Sequence, residues 1–405
     1  MMATIADLGV LLTLASICYF ILALWRVFRF NTRPAAAGGA RPPVTIMLPV
    51  YGTPDRLYDC LRSCCDQDYP EYQVIFGLHR ADDPGRKVIE RVMREFPRVD
   101  MALVVDERRI GSNPKVCNLA NMYLSAKYDV IVMIDSDVRL GSDFLGIVVP
   151  PLADPAIGAV TCLYKGLPEA NPASVLGAMH INEWIAPSAL VDIGRRPMDM
   201  CFGAVMAVTR RSLASIGGLE ALAFAVAEDD VLGQLLAEAG YRIQLSPYVV
   251  GTVVAETGFA SLLGHELRWM RSVRACRPLD HALSVIVHGL FPAAVLWLAH
   301  PTDAALMLLA VLAGLRIGLH GLVRVRLRAA YPFSLPLLVW RESLTFLVWL
   351  GSFLSWSMRW GDTTLRANTG RTMSTTGSHT ATNASATDRI ESMPGVHPVH
   401  YADAE

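Results

Sequence analysis

The stretch Val130-Ile-Val-Met-Ile134-Asp135-Ser136-Asp137 joins five apolar, largely β-branched residues to two carboxylates. A run that short and that uniformly apolar predicts a strand buried on both faces, as in a parallel sheet covered by helices. Similar runs stand at Val44–Leu48, closed by Pro49, and at Gln73–Leu78, Met101–Val105 and Ala159–Leu163. Between them, Pro84–Phe96 and Lys115–Ser125 place apolar residues at helical spacing. The alternation predicts an α/β domain with a largely parallel sheet, whose ligands sit beyond the carboxyl ends of the strands.

Outside this domain the chain changes character. It has 405 residues, 53% hydrophobic and only 18% charged, against about 25% charged in an average soluble domain. Leu8–Trp25 is free of charge and is followed by Arg26, Arg29, Arg33 and Arg41. That order, apolar then basic, predicts an uncleaved anchor with its basic end in the cytoplasm, where a cleaved signal peptide has the reverse. A second apolar zone begins after Asp280: His281–Thr302 is uncharged, Ala304–Val323 is broken by Arg316, and Phe333–Trp356 contains Arg341 and Glu342. Arg316 is expected to snorkel toward the Arg324, Arg326, Arg328 cluster. The Arg341-Glu342 pair implies burial against other helices, a lipid-access cavity, or a helix lying in the interface.

The expected organisation is an anchor at 1–29, a catalytic-sized domain at 42–280, a membrane region of two to three helices at 281–358, and a tail at 372–405 whose Ser, Thr, Ala and Gly cannot build a core. The expected location is the cytoplasmic (inner) membrane, multi-pass, with the domain facing the cytoplasm. Eight cysteines without a C-x-x-C pair read as reduced packing thiols. With 36 basic and 37 acidic residues the chain has no excess positive field for nucleic acid.

No G-x-G-x-x-G or G-x-x-x-x-G-K-[ST] follows a strand, which removes the main support for dinucleotide and P-loop chemistry. The strand ends carry acids instead. Asp135 and Asp137 at the mouth of a buried strand need compensation, and Mn²⁺ or Mg²⁺ bound to a diphosphate supplies it; otherwise one caps a turn and the other is solvated. Asp82-Asp83-Pro84 reads as a helix start with Pro at its first position, as a recogniser of a nucleotide's base or ribose, or as both. Glu228-Asp229-Asp230 opens a helical pattern, where acids suit the dipole and where a carboxylate in an apolar setting can serve as general base. Arg268-Trp269, followed by Arg271 and Arg274, reads as a basic interfacial helix or as a cation for a departing diphosphate. Lys115, in Asn113-Pro-Lys-Val-Cys-Asn118, is a further cation or a surface lysine.

Taken in order, Leu48-Pro49-Val50, Asp82-Asp83-Pro84, Asn113–Asn118, Asp135-Ser-Asp137, Glu228-Asp229 and Arg268-Trp269 resemble the processive-type GT-A glycosyltransferases, and within them the ceramide glucosyltransferase family. The likeness runs from about Val44 to Pro278. Val160–Gly166, Ile181–Trp184, Leu245–Val250 and His265-Glu-Leu-Arg-Trp269 look most like the hopanoid-biosynthesis branch. The resemblance implies a GT-A, Rossmann-like fold, a UDP-sugar donor and a membrane-lipid acceptor. It implies Asp82 or Asp83 on the uridine, Asp135 and Asp137 on the sugar nucleotide and its metal, Asp229 as base, and Arg268 and Trp269 on the diphosphate and acceptor side, with Lys115 among the residues expected to bind the nucleotide sugar. His265 departs from the Gln or Arg usual three residues before Arg-Trp. Asp135-Ser-Asp137 also shares the D-x-D of haloacid-dehalogenase-type phosphatases, although there the motif ends the first strand.

Overall fold

The computed structural model describes residues 2–30, 39–54, 56–360, 363–367 and 372–375. Eight strands form one sheet: β1 (Val44–Pro49), β2 (Tyr72–Leu78), β3 (Asp100–Val105), β4 (Val130–Ile134), β5 (Val138–Arg139), β6 (Ile157–Pro168), β7 (Val205–Thr209) and β8 (Arg242–Val254). Their order across the sheet is β3-β2-β1-β4-β7-β6-β8-β5. β3, β2, β1 and β4 are parallel neighbours, as expected from their largely apolar residues. The other half is mixed: β7 runs antiparallel to both β4 and β6, β6 and β8 are parallel, and β5 is antiparallel to β8. The sheet is thus less uniformly parallel than the sequence pattern suggests. That reversal has a use: it brings the start of β7, at Gly203 and Ala204, to the carboxyl end of β4, where Asp135 N–H donates to Ala204 O at 3.2 Å.

Two apolar cores flank the sheet, one containing Ile46, Leu48, Val74, Phe76 and Val132, the other Met47, Ile75, Val116, Ile131 and Leu232. Alternate residues of the same strands feed opposite cores, the period-two consequence of the pleat. All eight cysteines are free thiols and only Cys18 is exposed.

Two helices among the described residues are long and apolar enough to cross a membrane, Asp7–Arg29 and Asp303–Arg326; the bent pair Pro278–His288 and Leu290–Ala299, at 59°, makes a third if it is one span. The amino-terminal helix packs on the later ones through Tyr19, Phe20, Ala23 and Val27 against Ala293, Leu312, Leu319 and Val323. Ser16 approaches Gly289 so closely that a Cβ there would stand 2.2 Å from it.

Arg316 does not snorkel. It is buried, donates to Glu183 Oε2 at 2.8 Å and pairs with Glu342, while its guanidinium lies 4.1 Å over the Trp184 ring. Carboxylates inside the protein stabilise it better than the distant interface, because a buried guanidinium needs paired hydrogen-bond acceptors. Arg341 is likewise buried, bidentate to Glu266 at 2.6 and 2.7 Å. Of the three readings of Arg341-Glu342, burial against neighbouring helices is the one observed.

The start of the tail also differs from expectation. Met373–Thr375 forms a strand, Met373 N–H donates to Phe224 O at 2.9 Å, and Ser112 Oγ donates to Met373 O at 2.7 Å. The rest of the expected tail, 376–405, lies outside the described residues.

Candidate active site

The parallel half of the sheet ends in acids and cations. Asp135 and Asp137 follow β4, and Asp137 is tied to the next strand pair by Val253 N–H donating to its carbonyl at 2.9 Å. Lys115 stands on the Pro114–Tyr123 helix, whose first turn is capped by Asn113 Oδ1 accepting from Val116 N–H at 3.1 Å. Its ammonium reaches Asp135 Oδ1 at 2.6 Å, Glu228 Oε1 at 2.8 Å and Gly203 O at 3.2 Å. Asn113 Nδ2 holds the other oxygen of Glu228 at 3.1 Å. Lys115 is therefore not a surface lysine; it bridges the buried Glu228 and the half-buried Asp135. Burial opposes its charge, yet Asp135 and Glu228 hold its pKa above the ordinary value.

The acidic trio opens the Glu228–Glu238 helix with no side-chain cap, and its members face different ways. Glu228 turns to Lys115. Asp230 turns to Arg277 Nη2 at 2.7 Å and Gln234 Nε2 at 2.6 Å. The Asp229 carboxylate accepts its neighbour's backbone N–H at 2.9 Å, and its carbonyl accepts Cys201 N–H at 3.2 Å. It lies beside Gly203, where a Cβ would stand 3.0 Å from Asp229 Oδ2 and 3.6 Å from Lys115 Nζ. Burial and the Glu228 charge push the Asp229 carboxyl up to about 7 against the pull of Lys115. Asp137 is also pushed up to about 7, by burial and by Asp135, and Asp135 is raised by burial despite Lys115. Glu228 goes the other way: burial would raise it, but Lys115 and Asn113 hold it below the usual carboxylate value.

Arg268 is half-buried on the Phe259–Cys276 helix, and burial lowers its pKa while Glu256, Asp135, Asp137 and Glu228 raise it. Trp269 diverges from it, since successive helical residues point about 100° apart; its ring lies 4.3 Å from that of His265 and stacks on His180 at 6.3 Å.

Asp82 and Asp83 lie farther along the edge, after β2. Asp83 receives Gly52 N–H at 3.1 Å and Gly85 N–H at 2.8 Å, joining the end of β1 to the next helix. Asp82 is exposed and paired with Arg80 at 2.6 Å. Asp83 thus supports the helix start, while Asp82 is the exposed acid of the pair.

Glu256 was not singled out in the sequence. It follows β8, acts electrostatically on both Asp137 and Arg268, and binds His265 Nδ1. Tyr164 on β6 was missed as well: burial and Asp229, Asp135 and Asp137 all raise its pKa.

Hard carboxylate oxygens at Asp135 and Asp137, both raised in pKa, are a donor set that Mn²⁺ or Mg²⁺ fits. Among the described residues no cluster of three or more His, Cys, Asp or Glu could hold the ion alone. The remaining positions would fall to a diphosphate and water, the usual manner of magnesium in nucleotide enzymes.

The family model described as glycosyl transferase family 21 matches residues 8–373. The chain belongs to that family. A ceramide glucosyltransferase of Gibberella zeae is 32% identical over 154 residues, 34% of this chain and 29% of that protein. Ceramide glucosyltransferase 3 of Caenorhabditis elegans is 26% identical over 236 residues, 57% of this chain and 50% of that one. The chain thus spans half or less of these curated relatives. The solved mannosyltransferase PcManGT from Pyrobaculum calidifontis, in complex with GDP-Man and Mn²⁺, aligns over 86% of this chain and 99% of its own with a TM-score of 0.55 and 20% identity. The fold is GT-A, and the phosphatase alternative falls: Asp135-Ser-Asp137 ends the fourth strand, not the first.

Proposed function

We propose that the protein is a membrane-bound inverting glycosyltransferase that moves a sugar from a UDP-sugar to a lipid hydroxyl. The observation that carries this reading is Asp229. It is a carboxyl pushed up to about 7 at the same sheet edge as Asp135, Asp137 and Arg268, and a general base works best with a pKa near the working pH.

In the proposed reaction the acceptor hydroxyl gives its proton to an Asp229 oxygen while its own oxygen bonds the anomeric carbon. The bond from that carbon to the diphosphate breaks, and its electron pair leaves with UDP. One displacement inverts the configuration. Asp135 and Asp137 would hold a divalent cation, which when bound neutralises charge on the diphosphate. Arg268 adds a permanent planar cation on the leaving-group side. Asp82 is available to the nucleoside, and Asp83 fixes the loop beside it. Lys115 favours the ionised forms of Asp135 and Glu228 and holds both in place.

A membrane acceptor is supported by the apolar helices on both sides of the domain. The finer reading, transfer of N-acetylglucosamine from UDP-GlcNAc to bacteriohopanetetrol, rests on the hopanoid-type likeness of His265-Glu-Leu-Arg-Trp269 and its flanking stretches. A second reading, UDP-glucose and ceramide, is favoured by the names of the relatives. Purified full-length protein in nanodiscs, given each donor and each lipid, decides between them by mass spectrometry of the product. A β-linked product from an α-linked donor is expected; release of inorganic phosphate, or an α-linked product, refutes the reading.

A further inference from the structure

Buried polar atoms are normally hydrogen-bonded, and each that is not costs free energy unless something else supplies the bond. Two side chains beside the Arg268-Trp269 helix break this rule together. His180 is buried, 1% exposed, and neither ring nitrogen has a partner. Glu256 gives one oxygen to His265 Nδ1, and its buried Oε2 has none. They share a neighbourhood: a Cβ at Gly177, one turn before His180 on the Pro172–His180 helix, would lie 3.7 Å from Glu256 Oε2.

The surroundings are aromatic. The His180 ring stacks with Trp184 at 6.4 Å and with Trp269 at 6.3 Å, and His265 meets Trp269 edge-on. Leu338, Tyr331 and Val287, from the carboxyl-terminal apolar region, close the same cluster. The unpartnered atoms therefore lie at the seam between the catalytic domain and the apolar helices.

We propose that this seam is the binding site for the hydroxylated headgroup of the lipid acceptor, with Glu256 and His180 as its hydrogen-bond partners and Trp184 and Trp269 as its walls. The assignment rests on the lipid-transferase reading above. A neutral imidazole offers one donor and one acceptor, and a hydroxyl answers both; the carboxyl oxygen of Glu256 accepts a second hydroxyl. Burial, with Arg341 and His265 nearby, holds His180 well below the ordinary histidine value, in the neutral form this requires. A phosphate would meet the Glu256 carboxyl unfavourably. The diphosphate is assigned to Arg268, about 100° around the helix from Trp269.

The test uses the full chain in nanodiscs and two variants. His180→Phe keeps the stacked ring and removes both polar atoms; Glu256→Gln keeps the shape. Intrinsic tryptophan fluorescence is titrated with nanodiscs carrying bacteriohopanetetrol or ceramide, and separately with UDP-sugar alone. A saturable change with a hydroxylated lipid is expected in the wild type, weakened about tenfold or more in each variant, with a matching rise in the acceptor KM and, for His180→Phe, an unchanged donor KM. Weakened UDP-sugar binding with unchanged lipid binding would place the pair on the donor side and overturn the proposal. Greater thermal stability of His180→Phe with unaltered lipid binding would also overturn it, as the mark of a purely structural site. Lipid binding lost in the variants without any transfer by the wild type would uphold the site and refute the transferase reading instead.

Discussion

Replacing Lys115 with methionine, which nearly keeps its length but removes its charge, tests the electrostatics of the site most directly. The ammonium bridges Asp135 and Glu228 at 2.6 and 2.8 Å and shares the space beside Gly203 with Asp229. It opposes the burial and the Glu228 charge that raise Asp229 to about 7. Loss of an opposite charge at that range raises a carboxyl by about one pH unit or more. A base acts only when ionised, so wild-type kcat should climb as pH rises through about 7 and level off above it. In Lys115→Met the climb should move to about pH 8 or higher. At pH 7 the ionised fraction of Asp229 then falls from about a half to about a tenth, a fivefold loss of kcat from this cause alone, regained near pH 9. Steady-state kinetics from pH 5.5 to 9.5, with circular dichroism to verify folding, measures it. A folded variant whose loss is the same at every pH would refute this account and leave Lys115 as a donor-binding cation.

Asp229→Asn should bind UDP-sugar nearly normally while kcat drops by about 10²-fold or more, and a near-normal kcat would remove Asp229 from the role of base. Asp137→Ala should lose most turnover, as should the wild type in EDTA, with Mn²⁺ or Mg²⁺ restoring only the latter. Asp137 and Asp229 also set a stability trend: their folded values near 7 exceed the unfolded value of about 3.9, so ligand-free stability should fall as pH rises from about 4 through 7. Mn²⁺ should accordingly raise the Tm more at pH 8 than at pH 5, and an equal shift at both would argue against a cation on Asp137. For topology, Cys60 and Cys64 are unsuitable reporters because both are buried and burial pushes their thiols up, Cys60 to about 12. A cysteine at exposed Arg94 on the Gly85–Glu95 helix should react with an impermeant thiol reagent only after the cells are opened.

The elements that were legible in the sequence are those whose local pattern is also their structural reason. β1, β2 and β4 are buried almost throughout, so they are almost wholly apolar, and the acids after β2 and β4 stand out. β8 escaped because Pro247 and Gly251 break its pattern, and its pairing with β6 slips between Cys162 and Leu163 to accommodate this. Glu256 was lost with it, a strand-end acid on an unrecognised strand. Arg316 was misread for a different reason. Along the helix its nearest charges are the Arg324 cluster, whereas its partners Glu183 and Glu342 lie 133 and 26 residues away, and spacing along one helix cannot reveal them. Those distant partners also explain why so much charge sits inside an apolar region. Removing either member of a buried pair leaves the other unpaired in a low-dielectric setting, which costs more than any surface pair contributes. Glu183 with Arg316, and Glu266 with Arg341, therefore hold the Ile181–Ile185 turn and the Phe259–Cys276 helix against the apolar helices. The first carries Trp184 and the second carries Arg268 and Trp269, so the ion pairs that join the domain to its apolar helices also set the walls of the proposed lipid site.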